Sequence, residues 1–335
     1  MIITRTPFRM SFFGGGTDLQ EFFEENGGAV LSSTFDKYVY VTVRHLPRFF
    51  DYKNQLTYSR IERVGTVDEL EHPMVRNAMK LLDMHELIIN YDADLPARTG
   101  LGTSSSFAVG LLNAFHSLKG KVKDKRQLAD EAIYVERIMC NEAGGLQDQI
   151  AASFGGLNRI DFDASGYTVK PIGISEKRKN ELNDSLMLFF TGFSRFSADI
   201  QSDTKKNIKK NNETLNRMKD MVDEAEKILI DENESLDGFG RLLDESWKLK
   251  RSTGSKISTD EIDMIYERAI KAGALGGKLL GAGGGGFMLF YVPEEKQEAV
   301  KSKLSDLLLV PFRFENEGTS VIYFVPESFA LEEEE

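Results

Sequence analysis

The chain has 335 residues, 41% hydrophobic and 28% charged, with a net charge of -11, one cysteine and four histidines. That length carries a substantial core and predicts two domains. The acidic balance argues against nucleic acid as a partner, the lone Cys140 excludes a disulfide framework or Cys-based zinc cluster, and four histidines disfavour a His-rich metal centre.

Residues 1–7 lack the apolar core of a signal peptide, and no stretch approaches the roughly 20 apolar residues of a membrane span. The expectation is a cytoplasmic protein without a membrane partner. The first landmark is glycine-rich, Pro7-Phe8-Arg9-Met10-Ser11-Phe12-Phe13-Gly14-Gly15-Gly16-Thr17-Asp18. Val39–Val43 and Leu87–Tyr91 read as strands from their β-branched and aromatic content. A proline turn over Asp94–Thr99 leads into Gly100-Leu101-Gly102-Thr103-Ser104-Ser105-Ser106, and Phe107, Val109, Leu111, Leu112 and Phe115 then predict a mostly buried helix. A helix N-terminus after a glycine loop offers free N–H groups and a positive dipole end to phosphate.

Leu128, Ala132, Val135 and Ile138 predict an amphipathic helix, followed by Gly144-Gly145-Leu146-Gln147-Asp148-Gln149 and by Gly155-Gly156. A boundary is expected between Pro171 and Asp184, giving units 1–175 and 176–330 and an acidic, solvated tail over 331–335. Leu186–Phe190 starts the second unit. Ile208, Leu215, Met218, Val222, Ala225 and Leu229 form a helical stripe in a charged stretch that reads as a bundle-like excursion. A helix over Ile262–Ala272 precedes the third glycine segment, Gly281-Ala282-Gly283-Gly284-Gly285-Gly286. Phe287–Val292 is a strand, and Val321–Val325 another, with Phe287–Val292 as its candidate partner.

The three glycine segments fail the common nucleotide templates. The stretch Ala272–Leu279 lacks both the first Gly and the hydroxyl of a Walker loop, and Gly281, Gly283 and Gly286 follow a helix and open a strand, the reverse of a dinucleotide fingerprint. No His-Arg-Asp or Asp-Phe-Gly occurs. Instead Pro7-x-Arg9-x-Ser11-x-x-Gly14-Gly15-Gly16-Thr17-Asp18, Gly100-x-Gly102-x-Ser104-Ser105-Ser106 and Lys278-Leu279-Leu280-Gly281-Ala282-Gly283-Gly284-Gly285-Gly286-Phe287 resemble, in order and approximate spacing, the three signature motifs of the GHMP small-molecule kinases. That family includes galactokinase, homoserine kinase and mevalonate kinase. Within it the chain looks most like D-glycero-D-manno-heptose 7-phosphate kinases, in the first motif and in Phe35–Val41, Glu71-His72-Pro73, Thr191-Gly192-x-Ser194-Arg195 and Gly276–Leu280. Residues 160–250 match only loosely.

The resemblance implies an α+β, two-domain fold, the N-terminal domain with a left-handed βαβ crossover and the C-terminal domain a ferredoxin-like α/β sandwich. It implies an ATP- and Mg²⁺-dependent kinase acting on the anomeric hydroxyl of the heptose 7-phosphate, giving the 1,7-bisphosphate for nucleotide-heptose synthesis. The alternatives are an anomeric kinase for a neutral, fucose- or galactose-like sugar and a non-catalytic sugar-sensing relative. Asp148 would be the catalytic base, with Arg9 beside it; the competing reading of Asp148 is a helix cap, and that of Arg9 a surface ion pair. Gly100 to Ser106 (Gly100, Leu101, Gly102, Thr103, Ser104, Ser105, Ser106) would cradle nucleotide phosphates. Glu136 and Ser106 would hold magnesium, unless they are an ordinary helix carboxylate and a first-turn hydroxyl. Gly15, Gly16, Thr17 and Asp18 would meet the sugar, with Gly284 and Gly285 closing over it; Thr17-Asp18 could otherwise cap a helix. Arg195, then Arg98, Lys37, Lys248 and Lys250, are candidates for a substrate phosphate. The partner is a small sugar phosphate; a homodimer stays open.

Overall fold

The computed structural model describes residues 1–97, 99–192 and 210–326. The first sheet is organised by two long antiparallel strands, β1 (Ile2–Phe13) and β2 (Gly28–His45). The second half of β1 is buried on both faces, so its sequence runs nearly unbroken in apolar and small polar residues. β2 is long enough to serve two partners. Its C-terminal half pairs with β5 (Leu87–Ala93) and its N-terminal half with β6 (Leu157–Asp163), which pairs with β7 (Gly166–Pro171). β3 (Asn54–Thr57) lies parallel to β5 and pairs antiparallel with β4 (Ile61–Val64).

α3 (Thr103–Leu118), the third helix after α1 (Gln20–Asn26) and α2 (Pro73–Leu81), crosses this sheet and buries Phe107, Val109, Leu111, Leu112 and Phe115 as the sequence predicts. Gly110 permits its close approach. A Cβ there would lie 2.7 Å from the Thr6 hydroxyl, and the Thr4 hydroxyl donates to the Gly110 carbonyl at 2.9 Å.

α4 (Lys125–Ile133) keeps Leu128 and Ala132 inside, but Ile138 is 66% exposed, against the predicted stripe. The cause is a π-helical turn over Tyr134–Met139, in which the Cys140 N–H donates to the carbonyl of Val135, five residues back. Each π turn holds one more residue than an α turn, so the inward face advances. Glu136 is turned inward and Ile138 outward. α5 (Gln147–Phe154) and α6 (Glu176–Asp184) complete the helices of this half.

The second sheet runs β11 (Leu308–Val310), β8 (Leu186–Gly192), β10 (Gly286–Tyr291), β9 (Gly276–Leu279), all neighbours antiparallel. Counted within the unit, that order is fourth, first, third, second, the ferredoxin-like arrangement expected. Among the described residues its helices are α7 (Asn212–Ile230), α8 (Asp237–Ser252), α9 (Asp260–Ala272) and α10 (Gln297–Lys303). The described part of the predicted stripe, Leu215 to Leu229, is buried on α7; Ile208 and the acidic tail fall outside the described residues.

The chain then returns. β12 (Phe314–Glu315) pairs with β2, and β13 (Ser320–Phe324) pairs with β1 rather than with β10 as expected. The C-terminal end of the 176–330 unit is therefore woven into the first sheet. The helices also bridge the halves: Phe239 on α8 sits edge-on to Phe12 and Phe13, with ring centroids 5.5 and 5.0 Å apart. Such aromatic contacts add about 0.5–1.5 kcal/mol each beyond area burial, and they fix the end of β1 where the first glycine segment begins.

Candidate active site

The second and third glycine segments meet backbone to backbone. A Cβ on Gly100 (φ +83°) would lie 2.3 Å from the Leu280 carbonyl oxygen, one on Gly281 2.3 Å from the Gly100 Cα, and one on Gly286 2.3 Å from the Thr99 oxygen. A side chain at any of these three positions would collide with backbone, which is the physical reason each is glycine. The seam joins the mouth of α3 to the C-terminal sheet.

Across the seam lies the Arg9–Asp148 pair. Arg9 donates from Nε to Oδ1 and from Nη2 to Oδ2 of Asp148, each at 2.7 Å, and from Nη1 to the Gly100 carbonyl at 2.7 Å. Arg9 is 4% exposed, whereas the Asp148 side chain keeps 23% exposure and so remains reachable by a ligand. Gly102 (φ +77°) makes room, since a Cβ there would lie 3.3 Å from the Arg9 Cγ and 3.5 Å from the Asp148 Oδ2.

Asp148 stands in the first turn of α5, and the loop before that helix is held from two sides. Arg137 donates to the Gly145 carbonyl from Nε (3.2 Å) and Nη2 (2.8 Å), and from Nη1 to the carbonyls of Glu142 and Ala143. Asp18 accepts the Gly16 N–H on Oδ1 (3.0 Å) and the Gln147 N–H on Oδ2 (3.2 Å), and its carbonyl accepts the Leu146 N–H. Asp18 is 2% exposed, and burial followed by the nearby Asp148 charge raises its pKa. It does not cap α1, whose N-cap is Leu19, and its two carboxylate oxygens serve first to join the first glycine turn to the Asp148 helix.

At the mouth of α3 the first intrahelical bond runs from the Ser106 N–H to Gly102, leaving the amides of 103–105 unpaired within the helix. Glu136, brought inward by the π turn, accepts Ser104 Oγ at 2.8 Å and Ser105 Oγ at 2.7 Å, and also the Gln149 amide. Burial raises the Glu136 pKa despite these bonds. The hydroxyl of Thr103 and the amide oxygen of Gln149 are buried with no partner. Among the described residues no cluster of three or more Asp, Glu, His and Cys forms a metal cage. A carboxylate, adjacent hydroxyls and orphaned oxygens beside a phosphate-ready helix end fit magnesium, which takes one or two protein oxygens plus phosphates and water.

Two expected placements change. Ser106, aligned with a metal serine, is fully buried and donates to the Pro7 carbonyl at 2.8 Å, so Ser104 and Ser105 are the hydroxyls paired with Glu136. The helical repeat explains it: Ser106 lies on the face of α3 packed on β1. Thr17 is also fully buried, its hydroxyl bonded to the Gly14 carbonyl at 2.8 Å and to Ala29 of β2, so that it ties the first glycine turn to that strand. Leu101 is buried and offers only backbone, its carbonyl accepting the Arg9 N–H. Gly15 borders Ser11 and Gln147, Gly16 (φ +102°) turns beneath Leu215 of α7, and the Gly284 N–H is taken by the Ile257 carbonyl. Gly285, between it and the seam residue Gly286, adopts φ +139°.

Of the candidate phosphate cations, Lys37 pairs with its neighbour Asp36 and Lys248 with Asp244 on the exposed side of α8. Lys250 alone of these three enters the site, donating to the Gly281 carbonyl at 2.7 Å. Arg98 and Arg195 fall outside the described residues. Sequence reasoning missed Arg137, Gln149 and the buried Lys278, whose Nζ donates to the Phe12 carbonyl at 2.8 Å. Gln149 and Lys278 lie inside the quoted segments without having been given a role, and Arg137 is marked only by its place next to Glu136.

Comparison with known proteins matches residues 68–156 to the GHMP kinase N-terminal domain and residues 221–308 to the GHMP kinase C-terminal domain. D-glycero-alpha-D-manno-heptose 7-phosphate kinase of Campylobacter jejuni is 30% identical over 332 residues, covering 95% of this chain and 97% of the relative. The L-fucokinase/L-fucose-1-P guanylyltransferase of Bacteroides fragilis is 25% identical over 90% of this chain but 35% of its own length. Among solved structures, a D-glycero-D-manno-heptose 1-phosphate kinase from Bacteroides thetaiotaomicron superposes with TM-score 0.78 at 24% identity, over 97% of this chain and 100% of that one.

Proposed function

The chain belongs to the GHMP kinases and is a sugar kinase by its relatives, and we propose that it transfers the γ-phosphoryl group of ATP, with Mg²⁺, to the anomeric hydroxyl of D-glycero-D-manno-heptose 7-phosphate. The observation that carries the transfer chemistry is the Arg9–Asp148 fork set against the glycine seam at the mouth of α3. The near full-length likeness to a heptose 7-phosphate kinase supports the substrate.

Phosphoryl transfer requires positioning and charge stabilisation more than covalent chemistry. The amides of 103–105 and the dipole of α3 face the nucleotide phosphates. Glu136 with Ser104 would hold magnesium, which draws charge from the β- and γ-phosphates when bound. Asp148, kept in one rotamer by two bonds to Arg9, orients the sugar hydroxyl on its remaining lone pairs and takes its proton as the new O–P bond forms. ADP departs with the electron pair of the broken P–O bond. Asp18 and Arg137 hold the Asp148 helix in register.

A panel of sugars and sugar phosphates in a coupled ADP-release assay tests this, with the product position read by phosphorus NMR. The heptose 7-phosphate should be strongly preferred; equal turnover of unphosphorylated sugars would remove the substrate assignment, and the fucokinase relative makes L-fucose the first competitor to include. Asp148→Asn should lower kcat by about 10²–10⁴-fold while ATP binding stays measurable. Near-normal turnover would remove Asp148 from its role.

A further inference from the structure

Two cations reach the glycine seam from opposite domains, and only one of them has a carboxylate. Arg9, from β1, donates to the Gly100 carbonyl and is matched by Asp148. Lys250, from the last turn of α8, donates to the Gly281 carbonyl, and Gly281 lies against Gly100. Among the described residues no carboxylate stands within ion-pair distance of Lys250. An ammonium group carries three donors, so the Gly281 bond fixes its position and leaves two for a ligand. The charged groups that act on it come from every element around the site: Asp18 after β1, Arg9 on β1 and Asp148 on α5; it in turn acts on Lys278 of β9. A fixed, half-buried cation beside the catalytic carboxylate, with its charge unmatched, is arranged for an anion placed at that carboxylate.

Resting on the kinase reading above, we propose that Lys250 is a second catalytic cation, contacting the transferred phosphoryl group from the C-terminal domain opposite Arg9. As the sugar oxygen bonds to phosphorus and the bond to the bridging oxygen of ADP breaks, negative charge spreads over the three equatorial oxygens. Lys250 keeps its protons and offsets that charge, while the hydroxyl proton goes to Asp148. A site at the far phosphate of a seven-carbon sugar would not be expected beside the groups that handle its anomeric hydroxyl, which separates this role from substrate anchoring. Burial pulls the Lys250 pKa down to about 8, with Asp18 and Asp148 opposing and Arg9 assisting.

The test uses Lys250→Met, Lys250→Arg and the exposed control Lys248→Met, each checked for folding by thermal melting. Lys250→Met should lose kcat by about 10²-fold, the usual effect of removing one charge-stabilising donor. KM for ATP and for the sugar phosphate should stay within about threefold of wild type. Its affinity for ADP should hold while the ADP–aluminium fluoride complex weakens by a similar factor. Lys250→Arg should recover much of kcat and lose the alkaline limb near pH 8, because a guanidinium stays charged. A raised KM for sugar phosphate with kcat intact would make Lys250 a substrate anchor and overturn the proposal, as would unchanged kinetics in Lys250→Met. If wild type releases no ADP with any acceptor, the proposed function falls; the ADP–aluminium fluoride measurement needs no turnover and still decides Lys250.

Discussion

Gly100→Ala puts the glycine seam to a direct test, and Gly120→Ala supplies its control. Both glycines adopt left-handed backbone, φ +83° and φ +65°, so alanine costs about 1–2 kcal/mol at each on conformation alone. Around Gly120 a Cβ meets nothing within 4 Å, whereas at Gly100 it lies 2.3 Å from the Leu280 oxygen and 2.9 Å from its carbonyl carbon. Those are backbone atoms and no rotamer relieves them. Restoring an ordinary contact near 3.4 Å requires the two segments to part by roughly 1 Å. Overpacking of that kind adds about 1–3 kcal/mol, so Gly100→Ala should lose about 2–5 kcal/mol in urea unfolding and Gly120→Ala about 1–2. The kinetic contrast should be larger, because a displacement near 1 Å at reacting groups costs about 10²-fold. Gly100→Ala is expected to lower kcat/KM by that factor, with Gly120→Ala near wild type. Equal activity in the two variants would refute a rigid seam as the element that positions the phosphate cradle.

Glu136→Gln addresses the buried carboxylate. Its raised pKa means the folded chain holds the proton more tightly than the unfolded one. The stability this contributes is complete below the ordinary carboxylate range and is lost as pH rises through the raised value. Glu136→Gln should therefore be more stable than wild type at about pH 8, with the gap closing toward about pH 5 in urea titrations, while the magnesium needed for half-maximal turnover rises; a constant gap across pH would remove the burial argument. Arg137→Ala frees the loop ahead of Asp148, and kcat should fall by about tenfold with ATP affinity unchanged in calorimetry; loss of ATP binding instead would place Arg137 in the nucleotide site.

The motif residues that anchor the site were readable because each must satisfy a local condition. The glycines at 100, 281 and 286 are dictated by backbone contact, and the helix after Ser104 by an apolar run that needs burial on every side. Those conditions, in their order along the chain, identified the family and the two-domain α+β fold. Sequence spacing could not assign the serines, because three consecutive hydroxyls point along different directions of a helix. Packing on β1 decides that Ser106 faces the core, leaving Ser104 and Ser105 for Glu136. Nor does a 3.6-residue period foresee a π turn, which turns Glu136 inward at the expense of Ile138.

The residues that only the tertiary structure could assign are joined across long separations. Val321–Phe324 is a strand by composition, yet its partner is β1, more than 300 residues earlier, because edge pairing depends on which strand end is open when the domains close. Lys250 and Lys248 are indistinguishable in sequence, two lysines in one helix, two positions apart. That offset turns one to solvent and Asp244 and the other to the Gly281 carbonyl beside Arg9 and Asp148. Local chemistry determined which segments bend and which run as helix or strand; the closure of α8 and β9 onto β1 determined which charges meet at the glycine seam, since electrostatic effect depends on distance in space and not along the chain.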